Sequence, residues 1–284
     1  MFQLYSKYPK LCNGTMKISI ITTNYNTDKY LEKTIKSVLD QKGDFELEYI
    51  ITDGASTDNS LKIIKKYDKE IREGRWGNHI EFRYISEKDK GQSNGINKGL
   101  RMATGDIVAF LNSDDMYTEG TLEKVVRYFK DNPECMWLTG YCRVIDENDN
   151  EIKKYVTKYK NKKLEKFSLE QLLIENCISQ PSTFWRRKLL DKVGYIDENL
   201  HYSMDQDLWA RLAKNYKLHL IKDYLAEFRF TTDTKTGSSI DKTLKESRMI
   251  AKKYSNSKKV LFLQDISNIK RKISYKYLNN ITKN

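Results

Sequence analysis

Two adjacent carboxylates, Asp114 and Asp115, follow the apolar run Val108-Ala-Phe-Leu111. A run without polar alternation reads as a strand buried on both faces of a parallel sheet. Residues just past the carboxyl end of such a strand stand where open α/β sheets bind ligands. Hard divalent ions such as Mg2+ and Mn2+ take oxygen ligands, and one carboxylate with phosphate oxygens holds such an ion economically. The plain alternative is a turn and N-cap ahead of a helix beginning near Thr118.

The loops before this one repeat the arrangement. Lys17 to Asn24 is a β-branched run, and Tyr25-Asn-Thr-Asp28 leads into a helix with Leu31, Ile35, Val38 and Leu39 at helical spacing. Tyr49 to Thr52 reads as a second strand, stopping at Asp53-Gly-Ala-Ser-Thr-Asp58 ahead of a helix over 59–67. Ile80 to Ser86 is a third strand, followed by Glu87-Lys-Asp-Lys-Gly-Gln-Ser-Asn94 and a helix over 93–102. Such alternation implies right-handed crossovers and a mostly parallel sheet. Asn24, Tyr25, Asp53, Asp58, Asp89, Gln92, Asp114 and Asp115 then share one edge. No G-x-G-x-x-G follows the first strand and no Walker lysine loop is present. A carboxylate-rich crevice of this kind suits a nucleotide whose diphosphate is neutralised by a metal.

Composition narrows the field. The 284 residues are 39% hydrophobic, enough for a real core, and the net charge of +12 is unevenly placed. Residues 241–284 carry +9 and residues 151–163 carry +5, so the remainder is slightly acidic. That distribution argues against a uniformly basic nucleic-acid binder. Cys12, Cys135, Cys142 and Cys177 form no CxxC pair, so free thiols in a cytoplasmic compartment are expected. No apolar run reaches the ~18 residues that span a bilayer. Residues 1–15 lack the apolar core of a secretion signal and read as a short extension.

The second half is less regular. Thr121 to Phe129 reads as a helix with Leu122, Val125, Val126 and Phe129 on one side, and Cys135 to Val144 as a strand. Tyr155 to Lys163 reads as a basic, mobile stretch, 167–177 as helical, and Ile178 to Trp185 as a loop entering a strand. Asp205 and Asp207 fall in the first turns of a helix starting near His201, where the helix dipole favours their charge.

Together these pieces resemble the family 2 glycosyltransferases, inverting enzymes with the GT-A fold. The matching segments are Ile20-Ile-Thr-Thr-Asn-Tyr-Asn26, Asp53-Gly-Ala-Ser-Thr-Asp58, Asp89-Lys-Gly-Gln-Ser-Asn-Gly-Ile-Asn97, Asn112-Ser-Asp-Asp115, Gln180-Pro-Ser-Thr-Phe184 and Met204-Asp-Gln-Asp-Leu-Trp-Ala-Arg-Leu212, in the family's order. The resemblance implies an α/β GT-A domain over 16–236. It would comprise a Rossmann-like nucleotide-sugar half (16–115), an acceptor and catalytic-base half (116–236), and a basic amphipathic helical tail over 237–284.

The roles implied follow residue by residue. Asp53 accepts from the base or ribose of a nucleotide, UDP being the leading candidate, and Thr22, Asn24 and Tyr25 hold the nucleoside, with a core aromatic as the alternative for Tyr25. Asp58 and Gln92 order these loops or touch donor. Asp114 contacts the ribose or donor sugar, and Asp115 ligates Mn2+ or Mg2+ through the diphosphate. Asp205 is the candidate base, although Met204-Asp205 replaces the family's usual Glu-Asp, which leaves its alignment against Asp207 open. Both could simply cap the helix. Thr231 stands where relatives often place a histidine, and Lys235, Thr236 and Ser238 either close over the diphosphate or form a surface loop.

The acceptor implied is a glycan or a lipid-linked saccharide in surface-polysaccharide or glycoconjugate biosynthesis. In the tail, Phe262, Ile266, Ile269, Ile273, Tyr277 and Ile281 form an apolar helical stripe flanked by Lys270, Arg271, Lys272 and Lys276. It packs on the body or on a second copy, or lies on the anionic inner face of a membrane. The competing readings are a nucleotidyltransferase of related fold and a basic protein that binds nucleic acid or a partner through a degenerate transferase fold. The first lacks its glycine- and basic-rich phosphate loop, and the second leaves the ordered acidic motifs unexplained.

Overall fold

The computed structural model describes residues 15–231 and 239–281, with side chains described through residue 273. The first part alternates as the apolar runs require: β1 (Lys17–Asn24), α1 (Asp28–Leu39), β2 (Glu46–Asp53), α2 (Ser60–Arg72), β3 (Ile80–Ser86), α3 (Gln92–Met102) and β4 (Ile107–Asn112). These four strands are parallel and lie in the order β3-β2-β1-β4. The order reverses beside β1, which opens a crevice at the carboxyl ends of β1 and β4. Register then aligns the polar ends, with Asn24 opposite Asp53 and Thr23 opposite Asn112.

The second part continues the same sheet with β5 (Met116–Tyr117), α4 (Thr121–Asp131), β6 (Trp137–Ile145), β7 (Glu151–Ile152), α5 (Lys154–Leu164), α6 (Leu169–Ile174), β8 (Thr183–Arg186), α7 (Leu190–Val193), α8 (Met204–Asn215) and β9 (Leu218–Arg229). Here β8 runs antiparallel to β4 and β6, while β9 runs parallel to β6, so this half of the nine-stranded sheet is mixed. Two helices follow, α9 (Ile240–Tyr254) and α10 (Lys258–Ile281).

The strand period of two divides the core between the faces of the sheet. β1 sends Ile18 and Ile20 into one cluster with α1, α2 and α4, and Ile21 into the other with α3, α6, α8 and α9. Each fully buried aliphatic side chain contributes roughly 2 kcal/mol. Gly99 lets α3 lie directly on β1, because a Cβ there would collide with Ile21. Trp209 of α8 stacks on Trp137 of β6 with ring centroids 5.9 Å apart and meets Trp185 of β8 edge-on at 5.6 Å. That aromatic cluster fixes the helix that carries Asp205.

One expectation changes. The stretch read as basic and mobile is helix α5, missed because Thr157 and Leu164 are its only buried residues and apolar periodicity is weak. Within the helical tail, α9 packs on the core, with Ile250 and Ala251 buried. α10 is anchored through Val260 and Gln264, which donates to the Ser247 carbonyl at 3.0 Å. Its apolar stripe points outward: Phe262, Ile269 and Ile273 are all at least 60% exposed. The expected loop residues Lys235, Thr236 and Ser238, and the side chains of Lys276, Tyr277 and Ile281, lie outside the described residues, as do residues 1–14.

Candidate active site

The crevice begins at the paired ends of β1 and β2. Asn24 Nδ2 donates to Asp53 Oδ1 at 2.8 Å and to Ser56 Oγ at 3.1 Å. Asp53, buried at its strand end, also accepts from Ser56 N at 3.1 Å and from Ser86 Oγ at 2.6 Å. These bonds hold the carboxylate in one orientation at the crevice floor. Tyr25 is 64% exposed above Gly54, so the core-aromatic alternative does not hold. Thr22 departs from expectation: it is buried, and its hydroxyl accepts from Tyr49 OH at 3.1 Å inside the core. Asp58 accepts from the N–H groups of Asp28 and Ser60, each at 2.9 Å, and so joins the loop after β2 to the start of α1.

The loop after β3 joins the end of β4. Gln92 Nε2 donates to Asn112 Oδ1 at 2.7 Å, and Asn112 Nδ2 donates to Asp115 Oδ2 at 3.1 Å and Gln180 Oε1 at 3.2 Å. Asp89, in the same loop, accepts from Gly91 N at 2.8 Å. The carboxylate pair then separates into two environments. Asp115 has no exposed surface, and its Oδ1 accepts from the backbone N–H of Arg229 at 2.9 Å. Asp114 is half-buried and borders the crevice. Burial pushes both carboxyls above the usual carboxylate range; the neighbouring charge of Asp114 adds for Asp115, and Arg229 opposes for both.

Arg229 was not singled out from the sequence, where it stands as a lone cation between Phe228 and Phe230. It is fully buried at the end of β9. Its Nε donates to the Asp114 carbonyl at 3.0 Å, Nη1 to the Asp146 carbonyl at 2.6 Å, and Nη2 pairs with Asp149 at 2.6 Å. One side chain therefore ties the carboxylate turn to the loop after β6. The signal available was that a charged residue inside an apolar strand is buried only when paired.

The start of α8 closes the other side. Ser93 Oγ donates to the Leu200 carbonyl at 2.7 Å, and Glu246 of α9 accepts from the N–H groups of His201, Tyr202 and Ser203 at 2.7–3.0 Å. The two acidic residues of this helix differ sharply. Asp207 is 1% exposed and accepts from Arg211 Nε, Lys253 Nζ and Tyr254 OH, each at 2.9 Å. Burial opposes its ionisation, but these donors, Lys253 foremost, outweigh it and hold the carboxyl below its usual range. Asp205 has no ion pair among the described residues and is half-buried. Burial pushes its carboxyl up, against local N–H groups, the Lys160 ammonium and Asn176. Asp207 is therefore held by three donors, whereas Asp205 makes no ion pair among the described residues.

Comparison with known proteins now adds to the geometry. The family model described as glycosyl transferase family 2 matches residues 19–194, which include the nucleotide-side loops and the Asp114-Asp115 turn. The chain belongs to that family. An uncharacterized glycosyltransferase of Methanocaldococcus jannaschii is 30% identical over 215 residues, 75% of this chain and 70% of the relative. Among solved structures, residues 1–349 of TarS of S. aureus in complex with UDP-GlcNAc align with a TM-score of 0.65 at 21% identity, covering 86% of this chain and 68% of that one. The mannosyltransferase PcManGT of Pyrobaculum calidifontis, in complex with GDP-Man and Mn2+, aligns with a TM-score of 0.66 at 15% identity, covering 89% and 70%. The family 2 chain accordingly has the GT-A fold and is a glycosyltransferase.

A divalent cation fits the donor set here. Asp114 and Asp115 are adjacent carboxylates whose burial disfavours the charged form, with the charge of Asp114 adding to that cost at Asp115 and the Arg229 cation opposing it at both. No group of three or more His, Cys, Asp or Glu is arranged to hold a metal among the described residues. A cation in this crevice would therefore rest on one carboxylate and on substrate phosphate oxygens.

Proposed function

We propose that the protein moves a sugar, with inversion, from a nucleoside-diphosphate-sugar to a hydroxyl of a glycan or lipid-linked saccharide in surface-polysaccharide biosynthesis. The observation that carries this reading is the contrast on one helix between Asp207, fully engaged by Arg211, Lys253 and Tyr254, and Asp205, which makes no ion pair among the described residues. A single displacement needs one general base and no protein nucleophile. As the acceptor oxygen bonds to the anomeric carbon, its proton passes to Asp205 and the bond to the phosphate oxygen breaks. The nucleoside diphosphate leaves, and Asp205 leaves the step as a neutral acid.

The nucleoside lies against the exposed ring of Tyr25, near the floor formed by Asn24 and Asp53. UDP is the first donor to test, a choice supported by the TarS complex with UDP-GlcNAc, and GDP the second, supported by the PcManGT complex. The cation is assigned to Asp114. This differs from the sequence expectation of Asp115, because both Asp115 oxygens already accept from Arg229 and Asn112. Bound there, Mn2+ or Mg2+ supplies compensation for charge developing on the leaving diphosphate. Asp115 serves as the carboxylate that fixes the turn.

A place at an anionic membrane surface is supported by the outward stripe of α10, where exposed Phe262, Ile269 and Ile273 stand among Lys259, Lys270 and Lys272. No helix of the described residues is long and apolar enough to cross a membrane. Sedimentation with anionic against neutral vesicles tests that placement, and equal binding to both contradicts it. The transferase reading itself is tested by thermal unfolding with UDP, GDP and their sugars, with and without Mn2+. A ligand that binds only the folded state raises apparent stability. A shift for one nucleotide supports the reading, and its absence throughout the panel overturns it.

A further inference from the structure

Helix α8 carries Asp205, and its N-terminus lacks the usual local cap. Ser203 stands at the N-cap position, yet its side chain accepts no hydrogen bond from the first turn; its Oγ donates instead to the Thr243 carbonyl of α9 at 3.2 Å. A carboxylate arrives from Glu246, about one turn further along α9. Glu246 Oε1 accepts from His201 N at 3.0 Å, and Oε2 from Tyr202 N at 2.7 Å and Ser203 N at 2.8 Å. Three successive peptide N–H groups thus converge on one half-buried side chain. Hydrogen bonds to an ionised acceptor are roughly twice as strong as neutral ones, and the negative charge suits the positive end of the helix dipole.

The same helix grips α8 a second time. Lys253 and Tyr254, about two turns beyond Glu246 and so on the same face of α9, hold Asp207. Asp205 lies between the two grips, two residues after Ser203 and two before Asp207. α9 is itself pinned next to Glu246, where the Ser247 carbonyl accepts from Gln264 Nε2 at 3.0 Å and Arg248 Nη1 donates to the Leu261 carbonyl at 2.7 Å. On the other side, the segment entering α8 rests on α3. Asn97 Nδ2 donates to the Ile196 carbonyl at 2.8 Å, Asn94 Nδ2 to Glu198 at 2.9 Å, and Ser93 Oγ to the Leu200 carbonyl at 2.7 Å. α3 starts at Gln92, which reaches the carboxylate turn through Asn112. The entry to α8 is therefore clasped between the donor half and α9.

We propose that Glu246 is a positioning residue for the general base: by holding the peptide N–H groups of residues 201–203 it fixes the first turn of α8, and with it the placing of Asp205 against the acceptor hydroxyl. The proposal rests on the reading of Asp205 as base. A general base works only within hydrogen-bond reach of the proton it takes, and a misplacement of about 1 Å can cost on the order of 100-fold in rate. The grip on Asp207 and the packing of Trp209 against Trp137 and Trp185 keep α8 on the body. Loss of Glu246 therefore loosens the first turn rather than the fold. The donor side is spared, because Asn24, Asp53 and Asp114 stand on other elements.

The test compares Glu246→Ala and Glu246→Gln with the parent protein. Values of kcat, donor KM and nucleotide Kd are measured well below each variant's melting temperature, with the donor identified by the thermal panel. In Glu246→Ala, kcat falls about 10- to 100-fold while donor KM and nucleotide Kd stay within about threefold. Glu246→Gln keeps the length and one acceptor oxygen, so its kcat lies between those of the parent and Glu246→Ala. A lower melting temperature with kcat at the parent value shows that Glu246 only stabilises the fold, and overturns the proposal. A loss of nucleotide affinity as large as the loss of kcat overturns it too. If Glu246→Ala does not fold, Glu246→Gln is read alone; a fall in kcat with unchanged nucleotide Kd supports the proposal and the parent kcat overturns it. Asp205→Asn is assayed alongside. If it transfers sugar at the parent rate, the base reading fails; if it is inactive and Glu246→Ala retains the parent kcat, the Glu246 proposal alone fails.

Discussion

The Tyr254 hydroxyl donates to Asp207 Oδ1 at 2.9 Å, joining the end of α9 to the first turns of α8. Two residues earlier on α8, Asp205 receives no such donor from α9 among the described residues, so a helix beyond the matched family segment supplies the donors that distinguish the two carboxylates.

Asp207→Ala is expected to cost about 3 kcal/mol at neutral pH, since it leaves Arg211 and Lys253 unpaired around a buried site. Denaturant unfolding measures this. The folded carboxyl is held below its unfolded value of about 3.9. Its contribution is therefore present above about pH 4 and lost as pH falls through the lower folded value. The difference between parent and variant should shrink over that acid range; a constant difference would contradict the assignment.

Arg229→Met removes the tie between the Asp114-Asp115 turn and the loop after β6. A buried charged partner is lost from Asp149 and two carbonyls lose their donor, so destabilisation of roughly 3 kcal/mol is expected. Nucleotide affinity should fall with it, because the turn that borders the diphosphate site is released. Unchanged stability with unchanged affinity would show that the turn is held by other means.

Asp114→Ala and Asp115→Ala should behave differently. The first abolishes the Mn2+-dependent part of the nucleotide-induced thermal shift while leaving the unliganded melting temperature within a few degrees. The second lowers the unliganded melting temperature, since it deprives Arg229 N and Asn112 Nδ2 of their acceptors. The reverse pattern would return the cation to Asp115.

Tyr25→Ala deletes an exposed ring above Gly54. Stacking of a base on such a ring contributes about 0.5–1.5 kcal/mol, so nucleotide Kd should rise roughly 2- to 10-fold without loss of stability. Calorimetric titration with UDP checks it, and an unchanged Kd places the base elsewhere.

Much of the nucleotide side is legible in the sequence because buried parallel strands are continuous apolar runs and the residues that end them are local to each run. β1 and β3 begin and end as read, and Asn24, Asp53, Gln92 and Asp114 arrive at one edge. What escaped was set by distant partners. Asp207 is distinguished from Asp205 by Lys253 and Tyr254, more than 45 residues along the chain. Asp115 is distinguished from Asp114 by Arg229, 114 residues away. Helix α5 escaped for a local reason, since a Lys-rich helix with two buried residues leaves almost no apolar period. The Thr22 side chain meets Tyr49 in the core because Thr22 lies two residues inside the end of β1, whereas Asn24 ends the strand at the crevice.

The most direct test of the central claim is sugar transfer by Asp205→Asn, measured beside nucleotide binding by the same preparation. Removing a general base typically costs 10²–10⁴-fold in rate, on the order of 3–5 kcal/mol. The account predicts a loss of that size in kcat with nucleotide Kd unchanged within about threefold. Transfer at the parent rate, with the loss appearing in a folded Asp207→Asn protein instead, would contradict it.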